Sequence, residues 1–213
     1  MSKFTVKNTP TIEGPKIIRP EILGETRNYL SLNEQSDEIF ASMSIEDSFE
    51  ELYSEKLARG VLRGLYFQRK DSYAKLLSVS SGSALCVAVD LRPESKSFGA
   101  ANSVELNAEN ETSLYVPAYF AIGYLSLEPS TEVVVHCAGH YDPAAESGII
   151  YDDEILSINW QFERYEIDQK RLNINQRDKK FPSFRSYNQN SLWVNRPKKS
   201  KYALSRIRVH HLE

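Results

Sequence analysis

Between Gly60 and Trp160 the chain repeats one pattern, a run of four to eight residues rich in Val, Leu, Ile, Tyr and Phe followed by a turn-forming segment. The segments that close these runs are SSGS, RPESKSFG, NAEN, EPST and YDPAAESG. Gly, Pro, Asn, Asp and Ser favour turns at such points, so the runs read as consecutive antiparallel strands. About eight strands in this span predict an all-β sandwich or barrel.

A chain of 213 residues suits one domain with appendages and is long enough to bury about 70% of its unfolded surface, so neither disulfides nor metal are needed for stability. Cys86 and Cys137 each sit inside an apolar run (LCVAVDL and VVVHCAG) and are expected to be reduced core thiols. The net charge of −3 gives no global attraction to nucleic acid or anionic membrane. No stretch approaches the roughly 18 apolar residues of a membrane span, and MSKFTVKNTPTIEGPK lacks the apolar core of a signal peptide. A soluble cytoplasmic protein is expected.

The flanks are less regular. Short strands are predicted near Lys16–Arg19 and Arg27–Leu32, and the acidic stretch from Glu34 to Glu55 fits either a helix or an edge strand. After Trp160, QFERYEIDQKRLNINQRDKK is polar and fits a helical turn or a lid. Short helical segments are expected at the N-terminal and C-terminal ends. From Arg185 onward seven Lys/Arg stand against one acidic residue, Glu213. That basic balance invites a nucleic-acid reading, but Trp193, Tyr202, Leu204 and Ile207 supply apolar contacts, and packing on the domain or on a second subunit is the preferred reading. The expected division is a domain over residues 1–184 and a basic extension over 185–213, with Leu212 and Glu213 resembling a purification-tag remnant.

Phosphate-cradling glycine loops and Cys-x-x-Cys pairs are absent from the sequence. His136 and His140 have a spacing that would share one strand face, yet Gly139 and Asp142-Pro143 should end the strand between them, and a structural role is expected rather than a metal site. Arg63 and Gln68 stand in the apolar run GVLRGLYFQ, and Lys75 heads another. Buried polar groups are costly without partners, so these side chains either face solvent or form an anion site at a barrel mouth, where an Arg fork suits phosphate.

RGVLRGLYFQ, AKLL, VAVDLRPESKSFG, ELNAEN, VPAYFAIGYLSL, EVVV, YDPAAESGIIYDDE, ILSINW and INQRDKKFP form an ordered set from about Lys16 to Pro182 that resembles the dTDP-4-dehydrorhamnose 3,5-epimerase family. The resemblance implies a metal-free cupin, a jelly-roll antiparallel β-barrel that works without a cofactor, is usually a homodimer and binds a nucleoside-diphosphate 4-keto-6-deoxy sugar of the dTDP type. It also implies the chemistry. A base removes a proton next to the ketone, a cation steadies the enolate oxygen, and an acid returns a proton on the opposite face.

Carried onto this chain, the resemblance makes Lys75 the enolate-stabilising cation and Asp178 the partner of the base. Arg63 and Gln68 match phosphate-side and pocket positions, and Arg27 matches an early Arg, though Asn28 follows it where the family has Gly. The base position holds Tyr66 where the family has His, and the acid position holds Val135 where it has Tyr. Ile122 stands at a second family His, Tyr119 at a family Gly and Cys86 at a common Asp. A phenol of ordinary pKa near 10 is ionised about one part in a thousand at pH 7, unless an ammonium such as Lys75 favours phenolate. Three readings follow: an epimerase or isomerase with altered chemistry at Tyr66 and Lys75, a nucleotide-sugar binder without catalysis, or another activity in the same barrel.

Overall fold

The computed structural model describes residues 4–20, 40 and 44–190. The predicted strand at 27–32 and the chain beyond 190 lie outside the described residues, as does Arg27. Twelve strands are described: β1 (Phe4–Asn8), β2 (Lys16–Pro20), β3 (Glu51–Leu57), β4 (Val61–Gln68), β5 (Lys75–Ser81), β6 (Ser83–Asp90), β7 (Ala101–Asn107), β8 (Ser113–Val116), β9 (Phe120–Ser126), β10 (Thr131–Cys137), β11 (Glu146–Gly148) and β12 (Asn173–Ile174). The span Gly60 to Trp160 holds β4 to β11, eight strands as its turn spacing predicted.

These strands form two sheets, one ordered β1-β2-β8-β5-β10-β3 and the other β11-β4-β9-β6-β7. All pairs are antiparallel except β12, which lies parallel to β4. The acidic stretch resolves at its C-terminal end into β3, an edge strand beside β10.

β6 explains the packing. All eight of its residues are buried, because successive side chains point to opposite faces and both faces are covered. Ala84, Cys86 and Ala88 face the core between the sheets with Leu77, Leu114, Ile122 and Val135. Leu85, Val87 and Val89 face a second cluster with Leu156, Trp160, Phe184 and Tyr187 from the C-terminal segment. A strand covered on both sides reads as a continuous apolar run, and each fully buried Val or Leu contributes about 1.5–3 kcal/mol. Cys86 and Cys137 are free and buried, and burial pushes the Cys86 thiol up to about 12.

The covering segment is tied down by polar contacts. Trp160 Nε1 donates to the Tyr151 carbonyl at 2.9 Å, and Asp153 accepts from the Phe184 amide at 2.8 Å at the start of helix α1 (Phe184–Asn190). Phe184 and Tyr187, one helical turn apart, enter the outer cluster, and the Tyr187 hydroxyl donates to the Leu91 carbonyl at 2.9 Å. The packed unit therefore runs through Tyr187. Among the described residues, no helix is long and apolar enough to cross a membrane.

Candidate functional site

The floor of the site is built by an irregularity in β4. Pairing with β9 places Gly64 opposite Gly123 and Tyr66 opposite Ile122, with a register shift between them. An extra residue at this bulge changes which side chains share a face. Before it, Arg63 points to the cavity; after it, Tyr66 and Gln68 do, while Leu62, Leu65 and Phe67 belong to the outer cluster. Arg63 and Tyr66, three apart, would lie on opposite faces of a regular strand. Only glycine fits the pivot: Gly64 has φ +102°, and a Cβ there would stand 2.6 Å from the Ile122 carbonyl oxygen.

A cavity of about 530 Å³ opens above this strand. Tyr66, Lys75, Arg63, Gln68 and Ile122 line it, so five of the residues singled out from sequence come together. Asp178 lies directly behind them. It is fully buried, begins a 3-10 turn (Asp178–Lys180), and accepts the Tyr66 hydroxyl at 2.5 Å and the Gly64 amide at 3.4 Å.

The phenol of Tyr66 holds its proton more tightly than an ordinary tyrosine. Burial is the main cause and the Asp178 carboxylate adds to it. The expected pull toward phenolate by Lys75 is not what the geometry provides. The cation beside Tyr66 is Arg177, whose guanidinium carbon is 5.1 Å from the ring centre and whose opposing influence is the smaller one. Arg177 in turn pairs with Glu146 and stands 3.4 Å from Asp178 Oδ1.

Lys75 is 8% exposed, its ammonium 4.6 Å from the Tyr73 ring centre. Burial lowers its pKa, with Cys137 and Glu146 opposing. No described carboxylate lies within ion-pair distance of it. Gln68 donates to the Tyr73 hydroxyl at 3.4 Å, while its buried Oε1 has no partner among the described residues, leaving an acceptor at the cavity wall. Arg63 does not face solvent alone: its Nε and guanidinium NH2 both reach Glu55 Oε1 at 2.7 Å, and Tyr124 donates to Glu55 Oε2 at 3.0 Å.

Two sequence candidates lie elsewhere. Val135 is fully buried in the core between the sheets and does not line the cavity, because its short side chain ends within the apolar layer; Tyr53, opposite it in the β3 register, lines the cavity instead. Tyr119 packs at the edge of the outer cluster, with its amide donating to Ser72 Oγ at 2.9 Å, and its left-handed backbone turns it away from the lining. His136 is half-buried beside Phe49, and His140 pairs with Glu50 and Glu51 at the surface.

Sequence reading missed Tyr53, Glu55, Tyr73, Tyr124, Glu146 and Arg177, all of which line the cavity. A signal existed for some of them. Glu51, Tyr53 and Glu55 alternate, as one face of a strand requires, but the acidic composition there kept a helix equally plausible. Tyr124 follows Ile122 at the same two-residue interval, and Arg177 immediately precedes Asp178.

The sequence model of the dTDP-4-dehydrorhamnose 3,5-epimerase family matches residues 9–186. A relative of that name from Methanothermobacter thermautotrophicus is 36% identical over 163 residues, covering 76% of this chain and 87% of the relative. The protein of that name from Escherichia coli is 36% identical over 153 residues, covering 70% and 81%. Among solved structures, the dTDP-4-dehydrorhamnose 3,5-epimerase of Elizabethkingia anophelis superposes with a TM-score of 0.77 at 30% identity, covering 87% of this chain and 99% of that one. The dTDP-6-deoxy-D-glucose-3,5-epimerase of Legionella pneumophila, solved with dTDP-4-keto-L-rhamnose, gives 0.75 at 30% identity, covering 84% and 92%. With a two-sheet β-fold, a polar cavity at the bulged strand and matches along most of its length, this chain belongs to the dTDP-4-dehydrorhamnose 3,5-epimerase family.

Proposed function

We propose that this protein is an isomerase-type enzyme acting on a dTDP-linked 4-keto-6-deoxy sugar, with Tyr66 and Asp178 serving as its proton-transfer pair and Lys75 steadying the enolate oxygen. The observation that carries this reading is the 2.5 Å hydrogen bond from the Tyr66 hydroxyl to buried Asp178, set in the same cavity as the buried amine of Lys75. Family relatives solved with dTDP-sugars support the ligand class.

Chemically, the Tyr66 oxygen takes the proton from the carbon next to the ketone as it passes its own proton to Asp178, the C–H electron pair becoming the enolate, and the reverse transfers return a proton to that carbon. Lys75 holds positive charge where the carbonyl oxygen becomes enolate, in a setting that strengthens such contacts. Val135 supplies no proton donor at the position of the family's opposite-face acid. The reading is therefore proton transfer at one face, giving exchange or isomerisation next to the ketone rather than inversion of two carbons. A homodimer is part of the proposal by family resemblance.

The test is incorporation of solvent deuterium into a dTDP-linked 4-keto-6-deoxy sugar, followed by mass spectrometry. Exchange by the wild type that disappears in both Tyr66→Phe and Lys75→Ala supports the assignment. Binding of dTDP without any exchange leaves a nucleotide-sugar binder, and failure to bind either compound leaves a different activity in the same barrel.

A further inference from the structure

Both guanidinium groups in the cavity are already held by the protein's own carboxylates. Arg177 pairs with Glu146, and Arg63 pairs with Glu55. Counting the charged lining residues, Glu51, Glu55 and Glu146 balance Arg63, Lys75 and Arg177. A cavity built only to attract a diphosphate would carry an excess of positive charge. Among the described residues, this one carries none.

The Arg63–Glu55 contact is well made. One carboxylate oxygen receives two N–H groups of the guanidinium at 2.7 Å, and the other receives the Tyr124 hydroxyl. Three strands hold the set: Glu55 comes from β3, Arg63 from β4 and Tyr124 from β9. The side chains of Arg63 and Glu55 are 15% and 33% exposed, so the pair sits at the cavity wall rather than on open surface. An incoming phosphate meets an arginine with its Nε and one NH2 donor already on Glu55, and a carboxylate of its own sign beside it.

We propose that Glu55 is a specificity-determining residue, an internal anion that occupies Arg63 and must yield it before a phosphate group can bind there. The inference rests on the nucleotide-sugar reading above. Glu55 acts by introducing repulsion toward phosphate-bearing ligands, so it lowers their affinity and leaves a ligand without phosphate unaffected. The device sets how strongly the cavity distinguishes the two.

Isothermal titration of dTDP and of thymidine against the wild type, Glu55→Gln and Glu55→Ala tests it. Both variants are expected to bind dTDP roughly 10–100-fold more tightly, with thymidine changed less than about twofold, because like-charge juxtaposition is costly at a partly desolvated site. The use of two variants guards against one that fails to fold, checked by thermal melting. Glu55 loses its role if wild type binds dTDP and the folded variants bind it no more tightly, or if thymidine tightens by the same factor. If wild type and both folded variants all fail to bind dTDP, the nucleotide-sugar reading falls and this inference falls with it.

Discussion

The Tyr66 hydroxyl and Asp178 Oδ2 lie 2.5 Å apart although the two residues are 112 positions apart in the chain. One belongs to the bulged strand β4 and the other to a 3-10 turn that closes over it. Removing the hydroxyl leaves the ring packing against Phe181 in place. Tyr66→Phe is therefore expected to lower deuterium exchange by about a hundredfold or more while reducing stability by about 1–3 kcal/mol, because buried Asp178 loses its shortest hydrogen bond. Exchange kinetics and a denaturant titration on the same sample separate these effects.

Lys75 predicts an alkaline limb. Burial lowers its pKa from 10.5, with Cys137 and Glu146 partly opposing, so the ammonium is lost at a lower pH than that of a free lysine. The enolate needs the charged form, and the exchange rate should therefore fall as pH rises, beginning below pH 10.5. Tyr66, whose phenol is pushed above its usual value by burial and Asp178, contributes no limb at neutral pH. Lys75→Arg keeps the charge across this range. Its rate is expected to be lower overall but to lack the limb in a pH–rate profile.

Gly64 should tolerate no side chain. Alanine there would combine a left-handed backbone with a Cβ 2.6 Å from one backbone oxygen and 2.8 Å from the Gly123 Cα. Gly64→Ala is expected to destabilise by about 2–4 kcal/mol or to abolish soluble expression. The denaturation midpoint measures it.

Asp90 anchors the turn after β6. Its carboxylate is fully buried and accepts from Arg92 Nε at 2.9 Å, Ser95 Oγ at 2.6 Å and Ser97 Oγ at 2.7 Å. Burial alone would raise its pKa, but the bonds from Arg92, Ser95 and Ser97 outweigh it and the pKa is lowered. A carboxyl with a folded pKa below its unfolded value contributes stability that is fully present above about 3.8 and lost as pH falls through the folded value. Asp90→Asn is expected to cost about 3 kcal/mol at pH 7, since it leaves Arg92 without its counter-charge. The deficit should shrink below pH 3.8, as thermal melts across pH would show.

The barrel was legible because its signals are local. Eight runs of β-branched and aromatic residues separated by turn residues report strands without any knowledge of partners, and the observed β4 to β11 answer to them. The site was half legible. Tyr66, Lys75, Arg63 and Gln68 could be singled out as polar or matching residues in apolar strands, and they do share one cavity. The ion pair of Arg63 with Glu55 was not legible, since it depends on β3 and β4 approaching across the cavity rather than on any spacing in the chain. Val135 misled for the reverse reason: a position matched along the sequence says nothing of how far a short side chain reaches.

The bulge at Gly64 makes β4 two rulers joined out of phase. Upstream of it odd-numbered side chains face the space between the sheets, Val61 joining the core and Arg63 reaching the cavity, and downstream Tyr66 and Gln68 do. The Arg63 end and the Tyr66 end are thus independent writing surfaces, and substitution at one leaves the face assignments of the other unchanged. Straightening the junction with every residue kept would put the two halves back in step. Tyr66 and Gln68 would then turn into the outer apolar layer and Leu65 and Phe67 into the cavity, so the site would be lost by parity alone, with every one of its side chains still present.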